Sequence, residues 1–182
     1  NLQLVQHLKA KLGCAFNIYD NRFYTNACRS GSLQMVTYLE SHIAYKPIVA
    51  ISSNYYDAYR CACSSGNLQL VQHLENHLGD KLKNAIRAIG YWVYNDACSS
   101  GNLKLVQHLE NHLGSKLKYV IGTIPYRAYQ YACSNGNLQL LQHLENHLGD
   151  KLKNVIRAYR HQAYRRACSS GNLQLVQHLE NL

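Results

Sequence analysis

The chain has 182 residues, 47% of them hydrophobic, which is enough for a sizeable core, and its 19 Lys and Arg against 10 Asp and Glu give a formal net charge of +9. No run of 18 apolar residues occurs, which excludes a membrane-spanning helix, and no basic, apolar and small-residue leader is legible at its start. The positive balance directs attention to anionic partners, nucleic acid among them.

A repeat overrides what size alone would suggest. Gly31, Gly66, Gly101, Gly136 and Gly171 are each 35 residues from the next, and so are Cys28, Cys63, Cys98, Cys133 and Cys168, and Tyr24, Tyr59, Tyr94, Tyr129 and Tyr164. A period between about 20 and 50 residues signals stacked units, none of which buries its own core alone. The expected organisation is one elongated domain over 1–182: a partial repeat at 1–13, repeats at about 14–48, 49–83, 84–118 and 119–153, and a partial repeat at 154–182. Asn1 to Leu8 match Asn172 to Leu179, so both ends cut a repeat just after its glycine, as a piece of a longer array would.

In chain order, the first copy carries Leu2, Val5 and Leu8 at core spacing, and Lys9 to Gly13 displace its glycine. The second has Thr37-Tyr38 where the others have Gln-His. The central copies are the most regular, and Tyr91 to Leu113 serve as their template. Tyr94, Ala97 and Cys98 fall at i, i+3, i+4 and predict a short first helix with one aromatic and two small groups on its packing stripe. Gly101 is free to take the positive φ of a tight turn, and Asn102 is placed to cap a second helix. Leu103, Leu105, Val106, Leu109 and Leu113 then share one side, and Lys104, Gln107, His108 and Asn111 the other, with Gly114 as a C-cap. About a dozen residues separate one second helix from the next first helix. Leu82 with Ile86 and Leu152 with Ile156 suggest a helical turn there, whereas Pro47, Pro125, Gly90 and Gly122 favour a loop finger.

The segment 58–74, Ala-Tyr-Arg-Cys-Ala-Cys-Ser-Ser-Gly-Asn-Leu-Gln-Leu-Val-Gln-His-Leu, resembles an ankyrin repeat. Tyr59 stands at the leucine of that family's first helix, Ala62 and Cys63 at its alanine pair, Gly66 at its glycine, and Val71 and Leu74 on the core side of its second helix. The period of 35 rather than about 33, and Asp57-Ala58-Tyr59-Arg60 in place of a Thr-Pro-Leu-His opening, depart from the family. The resemblance implies an all-α solenoid of stacked helix-turn-helix ankyrin-like repeats with long loop fingers. It also implies a non-enzymatic role in binding other proteins, of the kind found in large-virus proteins and effectors of intracellular bacteria. The pentatricopeptide repeat is the rival; its period is 35, but its second helix takes a small residue where Val36, Val71, Val106, Leu141 and Val176 stand.

Comparing the copies locates the chemistry. The second helix hardly changes, whereas 52–57, 87–92, 122–127 and 157–162 occupy one repeat position and share almost nothing. These variable stretches and the slots after each tyrosine hold the only Trp and most of the Arg, residue types that dominate interface hot spots. Fingers and first helices line the concave side of a stacked array. The expected partner-binding residues are therefore Tyr55, Tyr56, Arg60, Arg87, Tyr91, Trp92, Tyr126, Arg127, Arg157, Tyr159, Arg160, His161 and Arg165.

His73 with His77, His108 with His112, and His143 with His147 have the i, i+4 spacing of a metal-binding pair, but their recurrence on the polar face predicts solvated or edge-lining side chains and no metal site. No cofactor motif appears, and the acidic residues Glu40, Glu75, Glu110, Glu145 and Glu180 are repeat-locked, unlike a catalytic constellation. Five of the seven cysteines sit at one repeat position beside an alanine, which predicts reduced thiols packed as small apolar groups in a reducing, intracellular compartment. Cys14 and Cys61 fall outside that pattern.

Three functional readings follow. Binding of another protein ranks first. A nucleic-acid binder would use the lysine pairs 81/83, 116/118 and 151/153 with stacking tyrosines. End-to-end self-association would exploit the apolar pattern of both terminal copies.

Overall fold

The 35-residue pattern folds into twelve α-helices and no strand among the residues this computed structural model describes, which are 2–12, 21–42, 46–123, 125–149 and 151–182. The chain forms two units, Asn1–Ile89 and Gly90–Leu182.

The first unit holds α1 (Leu2–Leu12), α2 (Asn21–Arg29), α3 (Leu33–Glu40), α4 (Pro47–Ser65) and α5 (Leu68–Leu78), then a 3-10 turn at Gly79–Lys81 and the opening part of α6 (Leu82–Ser100). α2 packs against α3 and α4, and α4 against α5. The small-residue stripes permit this close approach: Tyr24, Ala27 and Cys28 are buried on α2, and Tyr59, Ala62 and Cys63 on α4. Gly66 closes the turn after α4 with φ of 76°, in the left-handed region where a side chain costs about 1–2 kcal/mol. Asn67 then does two jobs. Its side-chain oxygen accepts from the Leu70 amide at 3.1 Å, capping α5, and its Nδ2 donates to the Gly31 carbonyl one repeat earlier at 2.8 Å. Leu70, Val71, Leu74 and Leu78 bury the opposite face of α5, each worth roughly 1.5–3 kcal/mol of apolar transfer.

The second unit repeats this plan in the rest of α6, α7 (Leu103–Leu113), a 3-10 turn at Gly114–Lys116, α8 (Leu117–Thr123), α9 (Pro125–Ser134), α10 (Leu138–Leu148), α11 (Lys151–Ser170) and α12 (Leu173–Glu180). Asn102, Asn137 and Asn172 cap α7, α10 and α12. Asn137 and Asn172 also donate to Gly101 and Gly136 carbonyls, at 2.5 and 2.6 Å. α9 packs against α10 and α11, and α11 against α12.

Among the described residues the loop finger expected between repeats is not formed. After the 3-10 turn that follows α5, Leu82 begins a helix that runs to Ser100, and helix likewise covers Leu117–Thr123 and Lys151–Ser170. The physical reason is amphipathic spacing: Ala85, Ile86, Ile89 and Val93 are all buried, and their i, i+1, i+4, i+8 pattern outweighs Gly90. Pro47 opens α4 instead of breaking it, because the first helical turn has no amide bond for proline to forfeit. α4 carries a non-helical stretch inside its span. There Asn54, Tyr55 and Tyr56 have φ of 46°, 55° and 60°, a left-handed run that non-glycine residues seldom adopt.

Candidate functional site

The repeat-locked tyrosines are structural. Tyr24, Tyr59, Tyr94 and Tyr129 are at most 2% exposed, and each hydroxyl donates to the carboxylate 16 residues later. The distances are 2.7 Å to Glu40, 2.7 Å to Glu75, 2.9 Å to Glu110 and 3.1 Å to Glu145. Tyr164 makes the same bond to Glu180 at 2.9 Å in an exposed pair. Burial above all, then the neighbouring thiol and carboxylate, pushes the Tyr59, Tyr94 and Tyr129 phenols well above their ordinary value. Burial also raises the thiols, Cys28 and Cys98 strongly and Cys133 to about 12, with Glu145 adding to the effect at Cys133. These are the packed, inert thiols that the repeat spacing predicts. Cys28, Cys61, Cys63, Cys98, Cys133 and Cys168 are all free, and Cys14 lies outside the described residues.

The same carboxylates also meet histidines of the following repeat. In the first unit, Glu40 Oε2 lies 2.7 Å from His73 Nε2 and Glu40 Oε1 lies 3.3 Å from His77 Nε2. In the second, Glu110 Oε2 lies 2.9 Å from His143 Nε2 and 3.5 Å from His147 Nε2, and Glu145 Oε2 lies 2.8 Å from His178 Nε2. The paired rings pack edge to face, with centroids 4.8 Å apart for His73 and His77 and 4.7 Å for His143 and His147. His77 Nε2 is buried and has no hydrogen-bond partner. A hydroxyl, a carboxylate and one or two imidazoles thus converge at each of these junctions. The glutamate's part was not visible in sequence, because the separations of 16 and 33 residues are set by packing and not by helical periodicity.

The residues expected to bind a partner are mostly at the surface. In the first unit Tyr55 is 87% exposed on the left-handed stretch of α4, Tyr56 and Arg60 are half-buried, and Arg87 is exposed. In the second, Trp92 is 49% exposed and stacks edge to face on half-buried Tyr91 at 4.9 Å. Arg127, Tyr159, Arg160, His161 and Arg165 are exposed, and the side chains of Tyr126 and Arg157 lie outside the described residues.

Two hollows accompany these residues. One of about 250 Å³ is lined by Gln162, Arg165, Arg166 and Ser169 of α11. Here Gln130 of α9 donates to Gln162 at 3.0 Å and Arg166 donates to Ser134 at 2.9 Å. The other, about 210 Å³ in the first unit, is lined by Asn21, Arg22, Thr25, Asn26 and Arg29 of α2 with Asn54 and Asp57 of α4. The polar side of α2 was not legible among the variable aromatic positions; its only signal was Arg22 and Arg29, two turns apart on one helical face.

No protein-family model matches this chain, and no curated protein matches it. Among the described residues no helix is long and apolar enough to cross a membrane.

Proposed function

We propose that this chain is a non-enzymatic protein-binding module, an ankyrin-like helical array that holds a partner protein with the variable residues of its first-helix layer. One contrast supports this reading best. Within α4 the repeat-locked Tyr59 is fully buried while the variable Tyr55 is 87% exposed, and within α6 Tyr94 is 2% exposed while Trp92 is 49% exposed. Tyr55 and Trp92 are therefore not packing residues of their helices. Drift on a solvent face has no reason to place Trp, Tyr and Arg together, whereas an interface core is enriched in these types. Free, buried thiols suit a reducing, intracellular setting.

Partner capture with Trp92→Ala and Arg160→Ala tests the proposal. A hot-spot residue contributes about 2 kcal/mol or more, so each variant should weaken binding roughly thirtyfold with helix content by circular dichroism unchanged. Full affinity in both variants removes this surface from the account. Tight binding of a random single-stranded nucleic-acid pool that survives physiological salt would replace the protein partner with nucleic acid.

A further inference from the structure

Each of the junctions at Glu40 and Glu110 brings together one carboxylate and two imidazoles, the donor set of many three-ligand zinc sites. The ligand atoms of Glu40, His73 and His77 lie within 4.8 Å of one another, and so do those of Glu110, His143 and His147. Four-coordinate zinc with bonds of about 2.0–2.2 Å holds its ligand atoms about 3.3 Å apart. Glu110 Oε2 lies 2.9 and 3.5 Å from His143 and His147 Nε2, on either side of that value, and at Glu40 the two imidazoles approach different oxygens, His73 to Oε2 at 2.7 Å and His77 to Oε1 at 3.3 Å. We propose that Glu40 with His73 and His77, and Glu110 with His143 and His147, are two binding sites for Zn²⁺ or a similar first-row divalent ion, each clipping one repeat to the next.

Four features beyond ligand count support the assignment. His77 Nε2 is buried at the junction and, although 3.3 Å from Glu40 Oε1, makes no well-directed hydrogen bond, a cost that a metal bond would remove. Tyr24 and Tyr94 donate to Oε1 of Glu40 and Glu110, the outer-shell bond that orients a ligating carboxylate. His77 and His147 stand in the last turns of α5 and α10, where the negative end of the helix dipole favours a cation. Their side chains are 33% and 34% exposed, so each site has a ligand residue at the surface. The arrangement also explains the threefold recurrence of the histidine pair: the ion would be part of the stacking unit, so its ligands recur with the repeat.

The structure supplies its own control. Glu145 faces His178, but the position four residues on is Leu182, so this junction offers a single imidazole. Tag-free protein stripped with EDTA would be titrated with ZnCl₂ by calorimetry and with CoCl₂ by visible absorption. The expected result is saturable binding of at least two ions per chain, an intense four-coordinate cobalt band, and a thermal midpoint that rises with free zinc. His77→Gln and His147→Gln should each weaken one site at least about tenfold, and His178→Gln should leave the titration unchanged. Glutamine at two partly exposed positions leaves the packed core intact, and circular dichroism of each variant without metal checks this. Absence of saturable binding, or a titration that His77→Gln and His147→Gln together leave as in the unsubstituted chain, overturns the proposal.

Discussion

At the residue scale, the buried tyrosine hydroxyl and its glutamate are the unit on which each repeat turns. A carboxylate such as Glu145, 9% exposed, is stable inside only if its oxygens are hydrogen-bonded. Tyr129 supplies one donor at 3.1 Å and His178 another at 2.8 Å. Tyr129→Phe removes a donor to a charged acceptor and should lower unfolding free energy by about 1.5–3 kcal/mol, measured by urea denaturation. Tyr164→Phe, at the exposed Glu180 pair, should leave the midpoint nearly unchanged because water takes over the bond. Equal losses at both positions would show that the hydroxyl bond is not what matters. Thiol reactivity follows the same burial. Cys168 is exposed while burial holds Cys133 up at about 12, so limited iodoacetamide treatment followed by peptide mapping should modify Cys168 well before Cys133, Cys98 or Cys28. Tyr24, Tyr59, Tyr94, Tyr129 and Tyr164 were legible as a repeat and as a packing stripe. Their bonds to glutamate were not, since nothing in a separation of 16 residues implies contact until the two helices of a repeat have folded back on each other.

At the scale of elements, the turn between the helices was the most readable feature. Gly101 with φ of 75°, the Asn102 cap and the C-terminal Gly114 all stand where the pattern puts them. The finger was misread because Pro47 and Gly90 look like punctuation in a string of letters, whereas at a helix start or inside a buried helix neither interrupts. The glycines offer a graded test. A Cβ on Gly136 would meet Ser170 Oγ at 3.1 Å and Asn172 Cβ at 3.3 Å, while one on Gly171 would meet nothing within 4 Å. Both carry positive φ, so Gly171→Ala should cost only the backbone term of about 1–2 kcal/mol. Gly136→Ala should cost more, because it also pushes on Ser170 and on Asn172, which donates to its carbonyl. Equal thermal shifts would mean that the crowding is absorbed without loss. In α4 the left-handed φ of Tyr55 is relieved by glycine. Tyr55→Gly should therefore raise or maintain the thermal midpoint, and under the proposed function weaken partner binding. A variant that keeps both stability and binding would remove Tyr55 from the surface.

At the scale of the whole molecule, the buried phenols and thiols set an alkaline limit. Their folded-state values lie above the ordinary 10.0 and 9.0, so the folded chain keeps protons that the unfolded chain releases. The stability they contribute is complete below pH 9, and it declines as pH rises through 9 and 10, because above those values the unfolded state binds fewer protons. Each fully protected group such as Tyr59 or Cys98 adds up to about 1.4 kcal/mol of loss per pH unit. Urea midpoints should therefore be flat from neutral pH to about 9 and fall steeply beyond it; a flat profile to pH 11 would contradict the burial described here.

The central claim is that exposed, variable residues of the first-helix layer hold a protein partner. It is tested most directly by parallel affinity capture at physiological salt, after nuclease treatment, with the unsubstituted chain and the Trp92→Ala and Arg160→Ala variants as baits. The account predicts a protein retained by the first and lost from both variants, whose helix content is unchanged. Retention by all three baits, or a partner that disappears with nuclease, would contradict it.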